Sequence, residues 1–190
     1  DVSNQISTAG YEASVIEGKV SVRAIWNAHI FLDGVRVPVE SRLPGGQSFK
    51  DTGRVLAATR TTCAYAALGH AVAAYDAALT YTRRRDQFGK PLVSFQMVQE
   101  RLVRMLAEIT AMQLYCLRIG RLTEEERLSD TIAALGKLNN TVKAREVIAE
   151  ARNLLGGNGI LLENHVIRHM ADIEAEALRF RTKPLAARRA

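Results

Sequence analysis

Cysteine, proline and aromatic residues are all scarce in this sequence. Its 190 residues include two cysteines, four prolines and 6% aromatic side chains. A disulfide-stapled fold is therefore excluded, and since Cys63 and Cys116 fall inside helical patterns, we expect buried free thiols and a cytoplasmic location. The chain also lacks an apolar run near the roughly 18–20 residues that span a bilayer, and it opens without a signal-type segment, so we expect no membrane insertion.

Charge of one sign is not concentrated in this chain, although its net charge is +6. The densest basic clusters are 83–85 and the tail from 179 to 189, and no continuous basic stripe connects them. This distribution does not predict a nucleic-acid partner, because such proteins collect their cations on one face. A metal site is not predicted either, since His165 and His169 share a helix face but have no third ligand at a suitable spacing.

The first part of the chain has the pattern of β-strands. "KVSVRAI" (19–25) alternates polar and apolar residues, and "HIFLDGVRVP" (29–38) does the same around an Asp33-Gly34 turn, which is typical of a hairpin. Two to four strands are marginal as an independent unit. We therefore expect residues 1–48 to be the end of a β-domain whose remainder lies outside this sequence.

The pattern becomes helical after residue 49 and stays so. We expect helices at about 52–85, 95–119, 129–155 and 163–178, joined by short turns, as in an antiparallel four-helix bundle. The predicted fold is thus mainly α, with a bundle domain over 49–190. Apolar residues predict two inward faces. These are Phe95, Val98, Leu102, Met105, Ile109, Met112, Cys116 and Ile119 on the second helix, and Ile132, Leu135, Leu138, Val142 and Ile148 on the third.

Two stretches carry residues suited to binding an anionic ligand. In "RRRDQFGKPLVSFQ" (83–96), an arginine at a turn can grip a phosphate, although cations at a helix C-terminus also complement its dipole. In "NLLGGNGI" (153–160), glycines allow a ligand to lie against the backbone, although one glycine of this kind simply ends many helices. Neither stretch alone decides between the two interpretations.

Taken together and in order, "EGKVSVRA", "DGVRVP", "LPG", "RRRDQFGKPLVSFQ" and "ARNLLGGNGI" followed by "HVIRH" resemble the acyl-CoA dehydrogenase family. The glycine stretch and "HVIRHM" are similar to its glutaryl-CoA dehydrogenase branch. The resemblance covers about residues 10 to 176 and corresponds to the end of the family's β-domain plus its C-terminal helical domain. It implies an FAD cofactor, an acyl-CoA substrate, dehydrogenation at the α and β carbons, a homo-oligomer such as a tetramer, and an electron-accepting flavoprotein partner.

The resemblance also implies roles for individual residues. Arg85 and Gln96 match positions that contact the FAD pyrophosphate and adenosine, with Phe88 beside them. The run Asn153, Leu154, Leu155, Gly156 and Gly157 matches a loop against the adenosine diphosphate of a neighbouring subunit's FAD. The resemblance implies that these two nucleotide-binding stretches come from separate copies of the chain. Thr182 matches a cofactor-contacting threonine, and Thr59 and Arg60 match positions near the acyl thioester, Arg60 as a buried arginine.

The C-terminal segment departs from the family pattern. The family's catalytic glutamate lies in a Tyr-Glu-Gly-Thr motif, but the matching residues here are Arg179, Phe180, Arg181 and Thr182. No catalytic base is therefore predicted, since general-base catalysis needs a group within hydrogen-bond reach. Two hypotheses remain open: a flavin-dependent dehydrogenase portion of doubtful activity, and a non-catalytic oligomerisation module of a dehydrogenase assembly, alone or mixed with a full-length subunit.

Overall fold

Four α-helices dominate the fold, as the sequence predicted. The computed structural model describes residues 9–48 and 51–178. Within these ranges the helices are α1 (Thr52–Arg84), α2 (Gln96–Glu124), α3 (Asp130–Leu154) and α4 (Val166–Leu178). No described helix combines the length and apolar composition that a membrane span requires.

The helix ends follow local chemistry. The Ser129 hydroxyl accepts a hydrogen bond from the Ile132 amide at 3.3 Å, so α3 begins with a side-chain cap. Helix α1 ends in Arg83 and Arg84, and the chain then forms a tight hairpin of β3 (Asp86–Gln87) and β4 (Lys90–Pro91). Pro91 cannot donate to a ladder, and α2 begins a few residues later.

The bundle is built around direct contact between α1 and α3, which run parallel to each other while α2 and α4 run antiparallel to them. Small side chains allow this contact: Ala64, Ala67, Ala71, Ala74 and Ala78 of α1 and Ala144 and Ala151 of α3 are all buried. Larger residues fill the space on either side of this pair. The predicted seam of α2 is confirmed, with Leu102, Met105, Ile109, Met112, Cys116 and Ile119 in the core.

A buried asparagine joins the three longer helices. The Asn140 side-chain amide of α3 donates to the Ala64 carbonyl oxygen of α1 at 3.1 Å and contacts the Cys116 sulfur of α2 at 3.3 Å. It also lies 3.4 Å from the Met112 carbonyl oxygen. Because a buried polar group costs free energy unless it is paired, this residue specifies the register of the helices.

The predicted inward face of α3 was largely wrong. Ile148 is fully buried, but Leu135, Leu138 and Val142 are 51%, 46% and 42% exposed. Residues such as Ala133, Asn140, Ala144 and Val147 face the core instead. The reason is that α3 carries apolar residues on two opposite faces, and the close approach of α1 favours the face with the smaller side chains.

The predicted strand at 19–25 was also wrong. The sheet pairs β1 (Tyr11–Val15) with β2 (Ala28–Leu32) in antiparallel register, and residues 19–25 form turns between them. Val22 has a φ of 47°, and the Lys19 ammonium folds back onto Asn27 Oδ1 at 2.6 Å. Asp33-Gly34 follows β2 as a bend rather than closing a hairpin, since Asp33 donates its amide to the Gly10 carbonyl at 2.8 Å.

Candidate functional site

One end of the bundle brings the two candidate binding stretches together. A cavity of about 360 Å³ is lined by Arg85 from the turn after α1 and by residues 153–158 at the end of α3. A single chain presents both stretches at this cavity, and the expectation that separate copies of the chain supply them stays a prediction. Since α1 and α3 run parallel, their C-terminal ends meet at the same end of the bundle.

The three glycines at 156, 157 and 159 have different structural roles, and Gly156 and Gly157 line the cavity. Gly156 has a φ of +58°, a conformation that side chains disfavour, and it turns the backbone after α3. A Cβ at Gly159 would collide with the Arg152 carbonyl oxygen, so packing excludes a side chain there. Gly157 lines the cavity, and no atom of the described residues, apart from its chain neighbours, lies within 4 Å of a Cβ placed on it. The fold itself therefore does not require glycine at 157.

Phe88 occupies a strained and exposed position next to the cavity. It forms the tip of the β3–β4 hairpin together with Gly89, with φ angles of 54° and 78°. Its side chain is 85% exposed, and its ring stands edge-on to Phe95 with centroids 6.4 Å apart. A bulky residue with positive φ is uncommon, and such strain often occurs at functional sites.

The predicted site residues other than Thr59 and Arg60 divide into three groups. Arg85, Asn153, Leu154, Leu155, Gly156 and Gly157 line the cavity. Phe88 and Gln96 lie nearby on the hairpin tip and at the start of α2, both exposed, and do not line it. Thr182 and Phe180 lie outside the described residues. The lining also includes Tyr81, Gln87, Leu92 and Asn158, which the sequence analysis missed.

Thr59 and Arg60 lie far from this cavity. They are in the first part of α1, and the 25 residues from Arg60 to Arg85 span about 37 Å of helix. Arg60 was expected to be buried, but its side chain is 32% exposed and its guanidinium lies 3.8 Å from the Asp130 carboxylate. A charged side chain stays at the surface unless another element covers it, and here it lies beside the first turn of α3.

Hydrogen bonds hold residues 156–159, called here the glycine corner, against α1 and against the segment that follows the corner. The side-chain amide nitrogen of Asn158 lies 2.9 Å from the Tyr81 hydroxyl. The side-chain amide of Asn164 donates to the backbone carbonyl oxygen of Asn158 at 2.9 Å. A second cavity of about 550 Å³ adjoins the first, and Tyr81, Arg85 and Leu155 line both. Arg84 and His165 lie on its wall together with Asp76 and Glu163, so its charges are mixed.

Two carboxylates of α4, Glu174 and Glu176, come shortly before position 180 in the sequence. Glu174 accepts a hydrogen bond from the Arg145 guanidinium of α3 at 2.7 Å. One carboxylate oxygen of Glu176 is buried without a hydrogen-bond partner. Helix α4 thus presents one paired and one unpaired acid in the turns before the described residues end.

A pair of histidines joins α1 and α4. The Nδ1 atoms of His70 and His169 lie 2.9 Å apart, so one ring donates and the other accepts. Burial, and next the nearby His70, lower the pKa of His169; Arg168 and His165 act in the same direction, whereas Asp172 opposes them. No three metal-binding side chains converge within the described ranges, so the pairing of His165 with His169 gains no third ligand there.

The fold is a four-helix bundle with a candidate ligand site at one end. Residues 48–178 match the family model described as "Acyl-CoA dehydrogenase, C-terminal domain". The chain therefore belongs to the acyl-CoA dehydrogenase family.

Individual relatives agree with this assignment. The bovine mitochondrial short-chain specific acyl-CoA dehydrogenase is 32% identical over 166 residues, which are 87% of this chain and 40% of the relative. A glutaryl-CoA dehydrogenase structure from Mycobacterium smegmatis is 37% identical with a TM-score of 0.86, covering 90% of this chain and 44% of its own. Another from that organism, in complex with FADH2, is 34% identical, with the same TM-score and coverage. The chain thus spans less than half the length of these relatives.

Proposed function

We propose that this chain is the C-terminal portion of an FAD-dependent acyl-CoA dehydrogenase of the glutaryl-CoA dehydrogenase type. In this proposal, the cavity between Arg85 and the glycine corner binds the adenosine diphosphate part of FAD. We also propose that residues 1–48 belong to a β-domain and 49–190 to the helical domain. The cytoplasmic location stays a prediction, since the bovine relative is described as mitochondrial.

The observation that carries the proposal is the open space at Gly157. Strain accounts for Gly156 and packing for Gly159, but within residues 9–48 and 51–178 nothing beyond its chain neighbours lies within 4 Å of a Cβ at 157. An empty space on the wall of a cavity that an arginine also lines fits a ligand that lies against bare backbone. A dinucleotide has the required combination of phosphate charge and flat, extended shape.

Each residue near the cavity has a defined task in this proposal. The Arg85 guanidinium binds phosphate oxygens with two parallel hydrogen bonds. Phe88 offers an exposed ring for stacking, and the Gln96 amide adds polar contacts beside it. Residues 153–157 form the backbone wall, and Thr182 contacts the cofactor from a segment outside the described residues. When bound, FAD supplies the acceptor for the two hydrogens removed from an acyl-CoA thioester.

The rest of the active site is proposed to come from beyond these residues. The cavity accounts for only one end of a dinucleotide, so a homo-oligomeric partner would hold the flavin end. Thr59 and Arg60 are proposed to face the acyl-CoA, and a flavoprotein is proposed as electron acceptor. We further propose that this chain does not abstract the α proton itself, because Phe180 occupies the matching position and Glu174 is paired with Arg145.

The test compares Gly157→Ala with Gly69→Ala by titration with ADP and FAD. A methyl group at either position meets no neighbouring atom, but Gly69 is on α1 away from the cavity. We expect Gly157→Ala to keep the melting temperature and to weaken ADP and FAD binding by about tenfold or more, which corresponds to about 1.4 kcal/mol. Gly69→Ala should bind as the unmodified protein does. Absence of saturable binding to the unmodified protein, or unchanged binding by Gly157→Ala, would overturn the proposal.

A second candidate function, an oligomerisation module, is favoured by a different observation. Leu135, Leu138 and Val142 form an exposed apolar stripe on the outer side of α3, defined here as the α3 stripe. Contiguous exposed apolar surface of this kind often marks an interface. In this alternative the chain assembles with copies of itself or with a full-length dehydrogenase, whether or not it binds FAD.

A further inference from the structure

We propose that Tyr81 and Asn158 are positioning residues that hold the two walls of the cavity at the separation a nucleotide needs. This inference rests on the proposed function, since it concerns the same site. It assigns no direct contact with the reacting atoms to either residue. Their role is to set the distance between Arg85 and the glycine corner before the ligand binds.

Tyr81 connects both walls through different atoms. The side-chain amide of Asn158 donates a hydrogen bond to the Tyr81 hydroxyl at 2.9 Å, so the Tyr81 side chain reaches the glycine corner. Its backbone carbonyl accepts the Arg85 amide at 2.9 Å, so its main chain fixes the turn that carries the guanidinium. A shift of Tyr81 therefore changes the position of one wall relative to the other.

Asn158 is held from its other side as well. Its carbonyl oxygen accepts hydrogen bonds from the Asn164 side chain at 2.9 Å and from the Leu161 amide at 3.2 Å. The backbone N–H of Asn158 donates to the Leu155 carbonyl oxygen at 3.2 Å. The glycine corner therefore has little freedom once the bond to Tyr81 is made, although Gly156 and Gly157 allow the backbone many conformations.

This arrangement has a measurable consequence for ligands of different length. A ligand that contacts both walls benefits from a site already at the correct spacing, because no ordering cost is left for binding. A ligand that contacts only Arg85 does not depend on that spacing. Loss of the Tyr81 hydroxyl should therefore weaken ADP binding much more than binding of inorganic pyrophosphate.

The experiment measures ADP and pyrophosphate binding by calorimetry for Tyr81→Phe and Tyr65→Phe. Tyr65 is a matched control because it is on the same helix and its hydroxyl donates to the Cys116 carbonyl oxygen at 3.2 Å, about 16 residues before Tyr81. We expect Tyr81→Phe to raise the Kd for ADP about fivefold to tenfold and to leave pyrophosphate within about twofold. Tyr65→Phe should change neither affinity.

A double-mutant cycle tests whether Tyr81 acts through Asn158. In the Asn158→Ala background, Tyr81→Phe should cause no further loss of ADP affinity, because the bond is already absent. Additive losses would overturn the inference. So would an unchanged Kd for ADP in Tyr81→Phe, or equal losses for ADP and pyrophosphate, which would mean direct contact with phosphate. If the unmodified chain binds no ADP, the proposed function fails; if it binds ADP and Tyr81→Phe binds equally well, only this inference fails.

Discussion

At the scale of single residues, burial favours the neutral, weakly nucleophilic form of the Cys116 thiol. Neither Cys63 nor Cys116 forms a disulfide, and both are buried, as the sequence predicted. Burial raises the pKa of the Cys116 thiol, while its hydrogen bond with Asn140 opposes that change. The neutral thiol is the weaker nucleophile, so Cys116 serves packing and helix register rather than chemistry.

The His70–His169 pair makes stability depend on pH. The pKa of His169 is lowered from its ordinary value near 6.5, so the unfolded chain binds more protons than the folded chain between the two pKa values. Stability is therefore complete above about pH 6.5 and falls as the pH drops toward the folded-state pKa. We expect the melting temperature to decrease between about pH 7.5 and 5.5, measured by circular dichroism.

The control for this prediction uses a histidine outside the bundle. His169→Gln should reduce the pH dependence of the melting temperature, whereas His29→Gln on β2, where the strand is exposed, should leave it unchanged. Equal slopes for His169→Gln and the unmodified protein would show that the pair does not cause the effect.

Residues that belong to a recognisable motif were singled out from the sequence, whereas residues that only the packing of distant segments brings together were not. The glycine run and Arg85 were singled out through the family resemblance of the stretches that contain them, and both line one cavity. Tyr81 and Asn158 were missed because their hydrogen bond joins positions 77 residues apart. Neither residue departs from its local pattern, so only the parallel arrangement of α1 and α3 reveals the contact.

At the scale of elements, helix existence was predictable and the facing of α3 was not. The seam of α2 has one apolar face, and its seven core residues lie on it. Helix α3 has large apolar residues on one side and alanines on the other, and the α1–α3 contact selects the alanines. The strands were hardest, because pairing depends on partners and the turn at Val22 breaks an apparently regular alternation.

The close contact of α1 and α3 predicts a strong size limit at its alanines. Ala71 is fully buried, so Ala71→Leu adds three carbon atoms where no space exists. We expect it to lower the free energy of unfolding by about 1–3 kcal/mol in urea titrations followed by circular dichroism. Ala66→Leu, on the exposed side of the same helix, should stay within about 0.5 kcal/mol. Similar losses for both variants would contradict the packing argument.

At the scale of the whole molecule, two regions with exposed apolar side chains lie on different parts of the fold. One is the α3 stripe, and the other is the β1–β2 sheet, where Ile30, Phe31 and Leu32 are 59%, 66% and 63% exposed. A single chain therefore leaves faces uncovered on both its helical and its strand part. This agrees with a chain that spans less than half of its relatives' length.

The α3 stripe predicts self-association that one lysine should disrupt. We expect the unmodified chain to form dimers or larger assemblies at micromolar concentration, measured by sedimentation with and without FAD. Leu138→Lys should dissociate them while the helical signal is retained, because a charge at the centre of an apolar contact is costly. Glu126→Lys, in the turn after α2, is the control for added charge. Monomers at all concentrations would rule out the α3 stripe as an interface of this chain, and assembly independent of FAD would favour the oligomerisation module.

Helix α1 fixes the relative position of two distant candidate sites. It runs unbroken for 33 residues, about 50 Å, with Arg60 near one end and the turn bearing Arg85 at the other. Inserting or deleting one residue between them would rotate one site by about 100° relative to the other and move it by about 1.5 Å. A change of seven residues would nearly restore the angle but would still shift the two ends by about 10.5 Å, so any change of length in this segment alters their relative position.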